Sequence, residues 1–256
     1  MADSHCFYNK NFDKYLAFEK SLGKQRCPYP RLSEFRQSEK SVLRSVPYGS
    51  KVLYVGAGTG DHLVTLANRD TRILAVEYSE PMIRLTVRNL TEHGAGIRVV
   101  RDFREAIASF EAATPGSITL LQQDIRMVEW PAGLFDTSVA FCTLPLMNHA
   151  WPEVLRGLCR SATHTVFSIY KPSVSKELAA AYSNFGIRVN RVDRHGITAA
   201  DGFWYDFIPP RDIINFAARI RVKVHSTPRR AGFIYEVWSV PKRQVVGCND
   251  SKRIRN

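Results

Sequence analysis

Apolar positions in this chain of 256 residues fall into short runs, separated by turns and by segments with helical periodicity. The run Val52–Val55 leads into a glycine-rich turn, and a second run is closed by Glu77. A third run, Ile118–Leu121, is followed by Asp124. Apolar runs of this length that alternate with helical segments predict buried parallel strands joined by helices, the βαβ arrangement.

The segment before the first predicted strand has helical periodicity. Residues 1–47 are rich in aromatic side chains, and apolar positions three and four residues apart predict an amphipathic helix over Asp13–Leu22. The prolines in Cys27–Pro30 must end that helix. A second helix is predicted over Arg31–Arg44.

Further elements follow in the second half of the chain. A helix over Asp102–Ala113 precedes the third apolar run, and Phe203–Ile208 has the composition of an extended segment. Pro210 begins a helix that reaches Ile220. Two strands, Arg221–His225 and Gly232–Val240, are predicted to complete the fold.

The most informative segment is the turn Gly56-Ala57-Gly58-Thr59-Gly60 after the first predicted strand. Glycine takes positive φ without strain and lets the backbone approach a ligand closely. Glu77 lies 17 residues beyond Gly60, at the end of the second predicted strand, where a carboxylate can accept hydrogen bonds from both ribose hydroxyls. A dinucleotide-binding turn has the spacing G-x-G-x-x-G, whereas here His62 or Leu63 stands where the third glycine would fall.

This turn resembles motif I of the class I S-adenosylmethionine-dependent methyltransferases. The similarity continues through Glu77-Tyr78-Ser79-Glu80-Pro81-Met82-Ile83 and through Asp124. Leu134–Pro145 and Thr165–Tyr170 look like the fourth and fifth strands of that family. The resemblance covers roughly residues 48–240 and implies an α/β, Rossmann-like fold. That fold has a mostly parallel seven-stranded sheet with helices on both faces, an N-terminal helical cap, and the last two strands as a reversed hairpin at one edge.

The same resemblance divides the chain into three segments. Residues 1–47 are expected to form the helical cap, which closes over donor and substrate. Residues 48–241 are expected to form the S-adenosylmethionine-binding methyltransferase domain. Residues 242–256 remain as a basic tail.

S-adenosyl-L-methionine is the cofactor that the resemblance implies. Asp124 would receive the adenine amino group, although an acid at the end of a buried strand can instead cap the next helix. The residues expected to bind the cofactor are Gly56, Ala57, Gly58, Gly60, Glu77, Tyr78, Asp124, Ile125, Phe141 and Thr143.

The acceptor is expected beyond the fourth and fifth strands. His149 is a candidate catalytic residue because an imidazole exchanges a proton near neutral pH, although it could equally cap the helix that follows. Tyr170 is the second candidate, at the carboxyl end of the fifth strand. Aromatic walls there could hold a cationic amine by cation–π contacts or a flat heterocycle by stacking, and some of these side chains could belong to the core. The residues expected to bind the acceptor are Tyr15, Asn148, Trp151, Tyr182, Trp204 and Tyr205.

The net charge of +12 bears on which molecules the protein could bind. Part of the excess lies in the predicted tail and part between Arg219 and Arg230. A basic surface attracts polyanions such as RNA, although charge runs are more often solvated surface.

The rest of the composition excludes other classes of protein. The five cysteines are scattered and lack a C-x-x-C pair, which is typical of reduced thiols and indicates neither a zinc site nor a disulfide framework. No secretory signal and no apolar stretch long enough to cross a bilayer is recognisable, so a cytoplasmic location without a membrane partner is expected. The acid cluster that metal-dependent O-methylation needs is absent near the fourth strand, and no metal is expected.

The favoured function is methyl transfer to nitrogen or oxygen of a small-molecule acceptor (EC 2.1.1.-). One alternative is an RNA methyltransferase, acting on tRNA or rRNA through the basic surface. Another is a catalytically idle methyltransferase-like subunit that serves as a scaffold. The identity of the acceptor, the methylated atom and the oligomeric state are left open by the sequence.

Overall fold

A computed structural model describes residues 4–24, 26–200 and 204–238 of the chain. The predicted basic tail, the end of the last predicted strand and the start of the extended segment near residue 203 lie outside these ranges. The α-helices in the described ranges are α1 (Ser4–Leu22), α2 (Pro30–Leu43), α3 (Asp61–Ala67), α4 (Glu80–Glu92), α5 (Phe103–Glu111), α6 (Trp151–Ser161), α7 (Ser175–Asn184) and α8 (Pro210–Ile220). The strands are β1 (Lys51–Val55), β2 (Arg72–Glu77), β3 (Ile97–Val100), β4 (Ile118–Gln122), β5 (Phe135–Phe141), β6 (Ala162–Tyr170), β7 (Val189–Val192), β8 (Gly196–Ala199), β9 (Trp204–Asp206), β10 (Lys223–Pro228) and β11 (Gly232–Trp238).

The main sheet has the strand order β10-β11-β6-β5-β1-β2-β4-β3. Its central strands are parallel; in the pair β1 and β2, for example, Lys51 faces Arg72 and Val55 faces Val76. Strand β11 is antiparallel to both β6 and β10, so the predicted reversed hairpin at this edge is confirmed. The order reverses between β1 and β5, which is where ligands bind in open α/β sheets.

The predicted α/β fold class is confirmed, but the strand count of seven is wrong for the main sheet. An eighth strand, β3, pairs in parallel with β4 at the edge. Its middle residues Arg98 and Val99 are exposed, so it lacks the continuous apolar run by which a buried strand is recognised. A separate antiparallel sheet has the order β7-β8-β9. Strands β7 and β8 lie outside what the pattern predicted, whereas β9 falls in the predicted extended segment Phe203–Ile208. Helix α5 is confirmed, and Asp102 caps it by accepting from the Glu105 N–H at 2.9 Å.

Alternating side chains of the central strands supply two cores, one on each face of the sheet. On β1, Val52 and Tyr54 pack against the face that carries α1 to α4 and α7. Leu53 and Val55 point to the other face, which is covered by α5, α6 and α8. Burial on both faces explains why β1 is apolar throughout rather than alternating. None of the described helices combines the length and hydrophobicity that crossing a membrane requires.

Helices α1 and α2 confirm the two helices predicted near the N-terminus, and both pack on the sheet. Phe18, Leu32 and Phe35 are almost fully buried. The Phe35 ring lies 5.1 Å from the Tyr170 ring at the end of β6. These contacts place the N-terminal helices above the carboxyl ends of β5 and β6; the segment boundary at residue 47 stays a prediction.

Gly232 is the position where the fit between α2 and the sheet can be tested. A Cβ at Gly232 would lie 2.4 Å from both the Ile169 carbonyl oxygen and the Phe35 ring. We expect Gly232→Ala to lower the free energy of unfolding by about 1–3 kcal/mol, as overpacking does. Gly157→Ala is the matched control, because a Cβ there meets Trp130 at an ordinary 3.6 Å. Because Gly157 lies inside a helix, Gly157→Ala should raise the free energy of unfolding by up to about 1 kcal/mol. Urea unfolding measures both, and equal effects would contradict the close fit at Gly232.

Candidate functional site

A deep cleft opens at the carboxyl ends of the central strands, under α1 and α2. Its empty volume is about 1150 Å³, a figure that includes the part open to solvent. The residues that line it are Tyr15, Phe18, Glu19, Arg36, Tyr54, Val55, Gly56, Ala57, Gly58, Thr59, Asp61, His62, Val76, Glu77, Tyr78, Met82, Gln123, Ile125, Phe141, Cys142, Thr143, Leu146, Met147, Tyr170, Tyr182 and Tyr205.

The glycine turn forms the floor of one end of the cleft. Gly56, Gly58 and Gly60 have φ values of 78°, 55° and 83°, a region that side chains with a Cβ rarely adopt. A Cβ on Gly56 would also lie 2.4 Å from the Thr143 hydroxyl. That hydroxyl is within hydrogen-bond distance of the Val55 and Phe141 carbonyls, at 3.1 and 3.0 Å, so it joins the ends of β1 and β5. Bare backbone therefore faces the cleft here.

Glu77 holds the turn against the end of β2. Its side chain is buried, and one carboxylate oxygen accepts the Gly58 N–H at 3.1 Å. The other oxygen accepts the N–H groups of Tyr78 and Ser79, at 2.9 and 3.0 Å. Helix α4 supports the turn from outside, where the Thr86 hydroxyl donates to the Gly58 carbonyl at 2.7 Å. A carboxylate thus faces the cleft in a fixed orientation beside the glycines.

Two of the expected cofactor residues do not line the cleft. Gly60 ends the turn and begins α3. Asp124 accepts the Arg126 N–H at 2.9 Å and forms an ion pair with the Arg126 side chain. Burial raises the pKa of Asp124, but hydrogen bonds and charge from Arg126 lower that pKa below its usual value overall. The structure gives Asp124 the capping role that was the alternative, and its adenine role stays a prediction. The other expected cofactor residues, Gly56, Ala57, Gly58, Glu77, Tyr78, Ile125, Phe141 and Thr143, all line the cleft.

Four predicted aromatic residues meet at the other end of the cleft. Tyr15, Tyr170, Tyr182 and Tyr205 all line it, although they come from α1, β6, α7 and β9. The Tyr205 hydroxyl accepts the Tyr170 N–H at 3.0 Å, and the two rings lie 5.6 Å apart. Burial raises the pKa of Tyr170, Tyr182 and Tyr205, so these side chains stay neutral phenols at physiological pH.

His149, Asn148, Trp151 and Trp204 are not among the residues that line the cleft. After Thr143 the chain enters a 3-10 helix, Leu144–Ala150, which presents Leu146 and Met147 to the cleft and leaves His149 exposed. The Trp151 ring packs 5.5 Å from the Phe216 ring on the opposite face of the sheet. Trp204 belongs to β9 of the small sheet. Their functional roles stay predictions.

A buried polar cluster between α2 and the sheet was not predicted. Its centre is Glu39, which is 1% exposed. The Ser168 hydroxyl donates to one Glu39 oxygen at 2.5 Å, and Arg36 donates to the other at 3.4 Å. Arg36 also forms an ion pair with Glu19 of α1. Burial, only partly offset by Arg36, raises the pKa of Glu39.

His62 extends this cluster to the glycine turn. Its Nδ1 lies 2.6 Å from the Tyr54 hydroxyl. Its Nε2 is 3.8 Å from a Glu39 oxygen, and no described group forms a hydrogen bond with it. Burial, and then the positive charges of Arg36 and Lys40, lower the pKa of His62 well below 6.5. The imidazole is therefore neutral at physiological pH.

The sequence of α2 contains a signal for this buried polar cluster. Leu32, Phe35, Glu39 and Leu43 are the buried residues of that helix, at spacings of three and four residues. Glu39 thus occupies the apolar stripe of an amphipathic helix, where a carboxylate is costly unless it has partners. Such a position is a candidate functional site, although its partners Ser168 and Cys142 cannot be found from local sequence.

The buried His62 imidazole makes stability depend on pH in a defined direction. Because the pKa of His62 is lower in the folded than in the unfolded state, its contribution is complete above pH 6.5 and is lost as the pH falls. We expect the free energy of unfolding to decrease by up to about 1.4 kcal/mol per pH unit below 6.5. His62→Gln should flatten this dependence, whereas His225→Gln, at an exposed position, should not. Urea unfolding at pH 7.5, 6.5 and 5.5 measures the slopes. An unchanged slope in His62→Gln would contradict a neutral buried His62.

Comparisons with known proteins agree with the geometry of the fold. No protein-family profile and no curated protein sequence matches the chain. Solved structures do match. Magnesium protoporphyrin IX methyltransferase from Synechocystis PCC 6803, solved with bound SAH, has 16% sequence identity and a TM-score of 0.56, over 91% of this chain and 96% of that one. The DhpI–SAH complex has 14% identity and a TM-score of 0.57, over 93% and 96% of the two chains.

A third similar structure is an S-adenosylmethionine-dependent methyltransferase from Methanosarcina mazei. It has 12% identity and a TM-score of 0.53, over 78% of this chain and 97% of that one. Identities this low establish the architecture and not the reaction. The strand order, the glycine turn and these structural matches together show that the chain has the fold of the class I S-adenosylmethionine-dependent methyltransferases.

Proposed function

We propose that this chain is an S-adenosylmethionine-dependent methyltransferase that methylates nitrogen or oxygen of a small-molecule acceptor. The observation that carries the proposal is the continuity of the cleft. The glycine turn and Glu77 form one end, the four tyrosines form the other, and no described element separates them. A methyl donor and an acceptor can therefore meet inside a single cleft, as in-line transfer requires.

The residues at the glycine end fit the donor. Gly56 and Gly58 line the cleft without side chains, and the Glu77 carboxylate lines it where ribose hydroxyls would donate to it. Tyr78 and Ile125 offer side chains for the faces of the adenine ring. When bound, S-adenosylmethionine supplies an activated methyl group on a sulfonium leaving group. Two of the structurally similar proteins were solved with SAH, which supports the same ligand here.

The chain's own residues have two tasks at the other end of the cleft. Tyr15, Tyr170, Tyr182 and Tyr205 surround the acceptor and keep bulk water away from the reacting atoms. Tyr170 is proposed as an orienting hydrogen-bond donor, because its phenol stays neutral when buried. The requirement for catalytic groups is otherwise small, since the donor itself carries the leaving group.

The charge of the cleft supports a small molecule over RNA. Three of the described lining residues, Glu19, Asp61 and Glu77, are acids, and Arg36 is the one arginine or lysine among them. Phosphate groups are attracted by unpaired basic side chains, and Arg36 already contacts two carboxylates. The basic residues Arg219, Arg221 and Lys223 lie instead at the β10 edge of the sheet.

Label transfer distinguishes the candidate functions. The protein is incubated with methyl-tritiated S-adenosylmethionine and cell extract, which is then divided by ultrafiltration. We expect label in the small-molecule fraction. RNase-sensitive label in the macromolecular fraction would support the RNA alternative and overturn the proposal. Binding of the donor without any transfer would support the scaffold alternative.

Glu77 gives a direct test of the donor site. We expect Glu77→Gln to weaken binding of S-adenosylhomocysteine about 10- to 100-fold, because a carboxylate that accepts hydrogen bonds is replaced by a neutral amide. Glu92→Gln makes the same change on the exposed end of α4 and should leave the affinity unchanged. Isothermal titration measures the affinities, and the melting temperature of each variant confirms folding. Equal affinity of a folded Glu77→Gln variant would contradict the assigned site.

A further inference from the structure

We infer that the acceptor is an amine that binds as an ammonium ion, and that Glu19 in α1 is the group that binds it. The inference rests on the proposed function and narrows it to N-methylation of a cation. It follows from the charges of the acceptor chamber, defined here as the part of the cleft between Tyr15, Glu19, Tyr170, Tyr182 and Tyr205.

Helix α1 presents a carboxylate and an aromatic ring to the chamber together. Tyr15 and Glu19 are four residues apart, so they lie on the same face of the helix, and both line the cleft. The Glu19 side chain is only 10% exposed. Its negative charge acts on Tyr182 and raises the pKa of that phenol after the larger effect of burial. Glu19 is therefore held beside the tyrosines and away from bulk solvent.

The chamber offers no unpaired positive charge to an anion. Arg36 is the only described arginine or lysine that lines the cleft, and it lies between the carboxylates of Glu19 and Glu39. An acceptor with a carboxylate or phosphate would meet carboxylates that already hold this guanidinium. An ammonium ion would instead meet the Glu19 carboxylate, which is the acid that lines the chamber among the described residues.

The walls of the chamber favour the same kind of ligand. Tyr170, Tyr182 and Tyr205 line the cleft, and aromatic rings attract a cation through their electron-rich faces.

The chemistry balances with groups that are present. The ammonium ion gives one proton to the Glu19 carboxylate, which is 10% exposed and later releases the proton to solvent. The freed lone pair on nitrogen forms the bond to the methyl carbon. The sulfur–methyl bond breaks, and its electron pair stays on sulfur. The products are a methylated ammonium ion, S-adenosylhomocysteine and one proton.

The test uses three probes that share a ring and differ in charge: benzylamine, benzyl alcohol and benzoate. Each is titrated at pH 7 into the full chain saturated with S-adenosylhomocysteine. We expect benzylammonium to bind at least about tenfold more tightly than the other two, which matches the scale of a desolvated cation–π and ion-pair contact. Stronger binding of benzoate or benzyl alcohol, or no binding of any probe at millimolar concentration, would overturn the inference.

Variants assign the effect to Glu19. Glu19→Gln should weaken benzylammonium at least about tenfold and should strengthen benzoate, because Arg36 loses one of its two carboxylate partners. Glu34→Gln is the matched control, since Glu34 is an exposed acid that pairs with Arg230. Unchanged probe binding in a folded Glu19→Gln variant would refute the role of Glu19.

Two further readouts keep this inference separate from the proposed function. If S-adenosylhomocysteine does not bind at all, both the proposed function and the inference fail. If it binds while the probes show no preference for the cation, only the inference fails. In the label-transfer experiment, the labelled product, once separated from the donor, should be retained by a cation exchanger at pH 7. Retention by an anion exchanger would overturn the inference.

Discussion

The hydrogen bonds that the Glu77 carboxylate accepts are the interactions on which the rest of the proposed site depends. This carboxylate joins the glycine turn after β1 to the start of α4 by accepting N–H groups from Gly58, Tyr78 and Ser79. Three backbone donors on one buried carboxylate leave it little freedom, so its orientation toward the cleft is determined before any ligand arrives. The turn in turn depends on three glycines at positive φ. The proposed donor site is therefore formed by the backbone of the βαβ unit together with one fixed side chain, Glu77.

A second buried carboxylate, Glu39, in the same way joins separate elements around the tyrosine end of the cleft. It connects α2 to β6 through Ser168, to the chain after β5 through Cys142, and to α1 through Arg36 and Glu19. The network orients the N-terminal helices over the strand ends, because a buried carboxylate is tolerated only where these partners are in place. The tyrosines of the chamber take their positions from the same packing. Two buried acids, Glu77 and Glu39, thus hold together the elements that surround the two ends of the cleft.

The residues at the glycine end of the cleft could be named from sequence because they are local. Gly56 to Gly60 and Glu77 belong to one βαβ unit, and their spacing carries the geometry. The acceptor half is assembled from distant parts of the chain, as the pair Glu39 and Ser168 illustrates. Its tyrosines could be proposed as aromatic candidates, but Glu19, Arg36 and His62 had no local signal apart from their place on an apolar helix face. The expectation for His149 followed the loop after β5, which turns away in a 3-10 helix. The edge strand β3 was missed because an exposed edge lacks the apolar run of a buried strand.

The most direct measurement is a crystal structure of the chain grown with S-adenosylhomocysteine and a saturating amine. We expect the ribose hydroxyls about 3 Å from the Glu77 carboxylate oxygens, with the sulfur directed toward Tyr170. The amine should lie between Glu19 and the tyrosines, in line with that sulfur. A nucleoside bound away from Glu77, or a sulfur that points out of the tyrosine chamber, would contradict the central claim that one cleft brings donor and acceptor together.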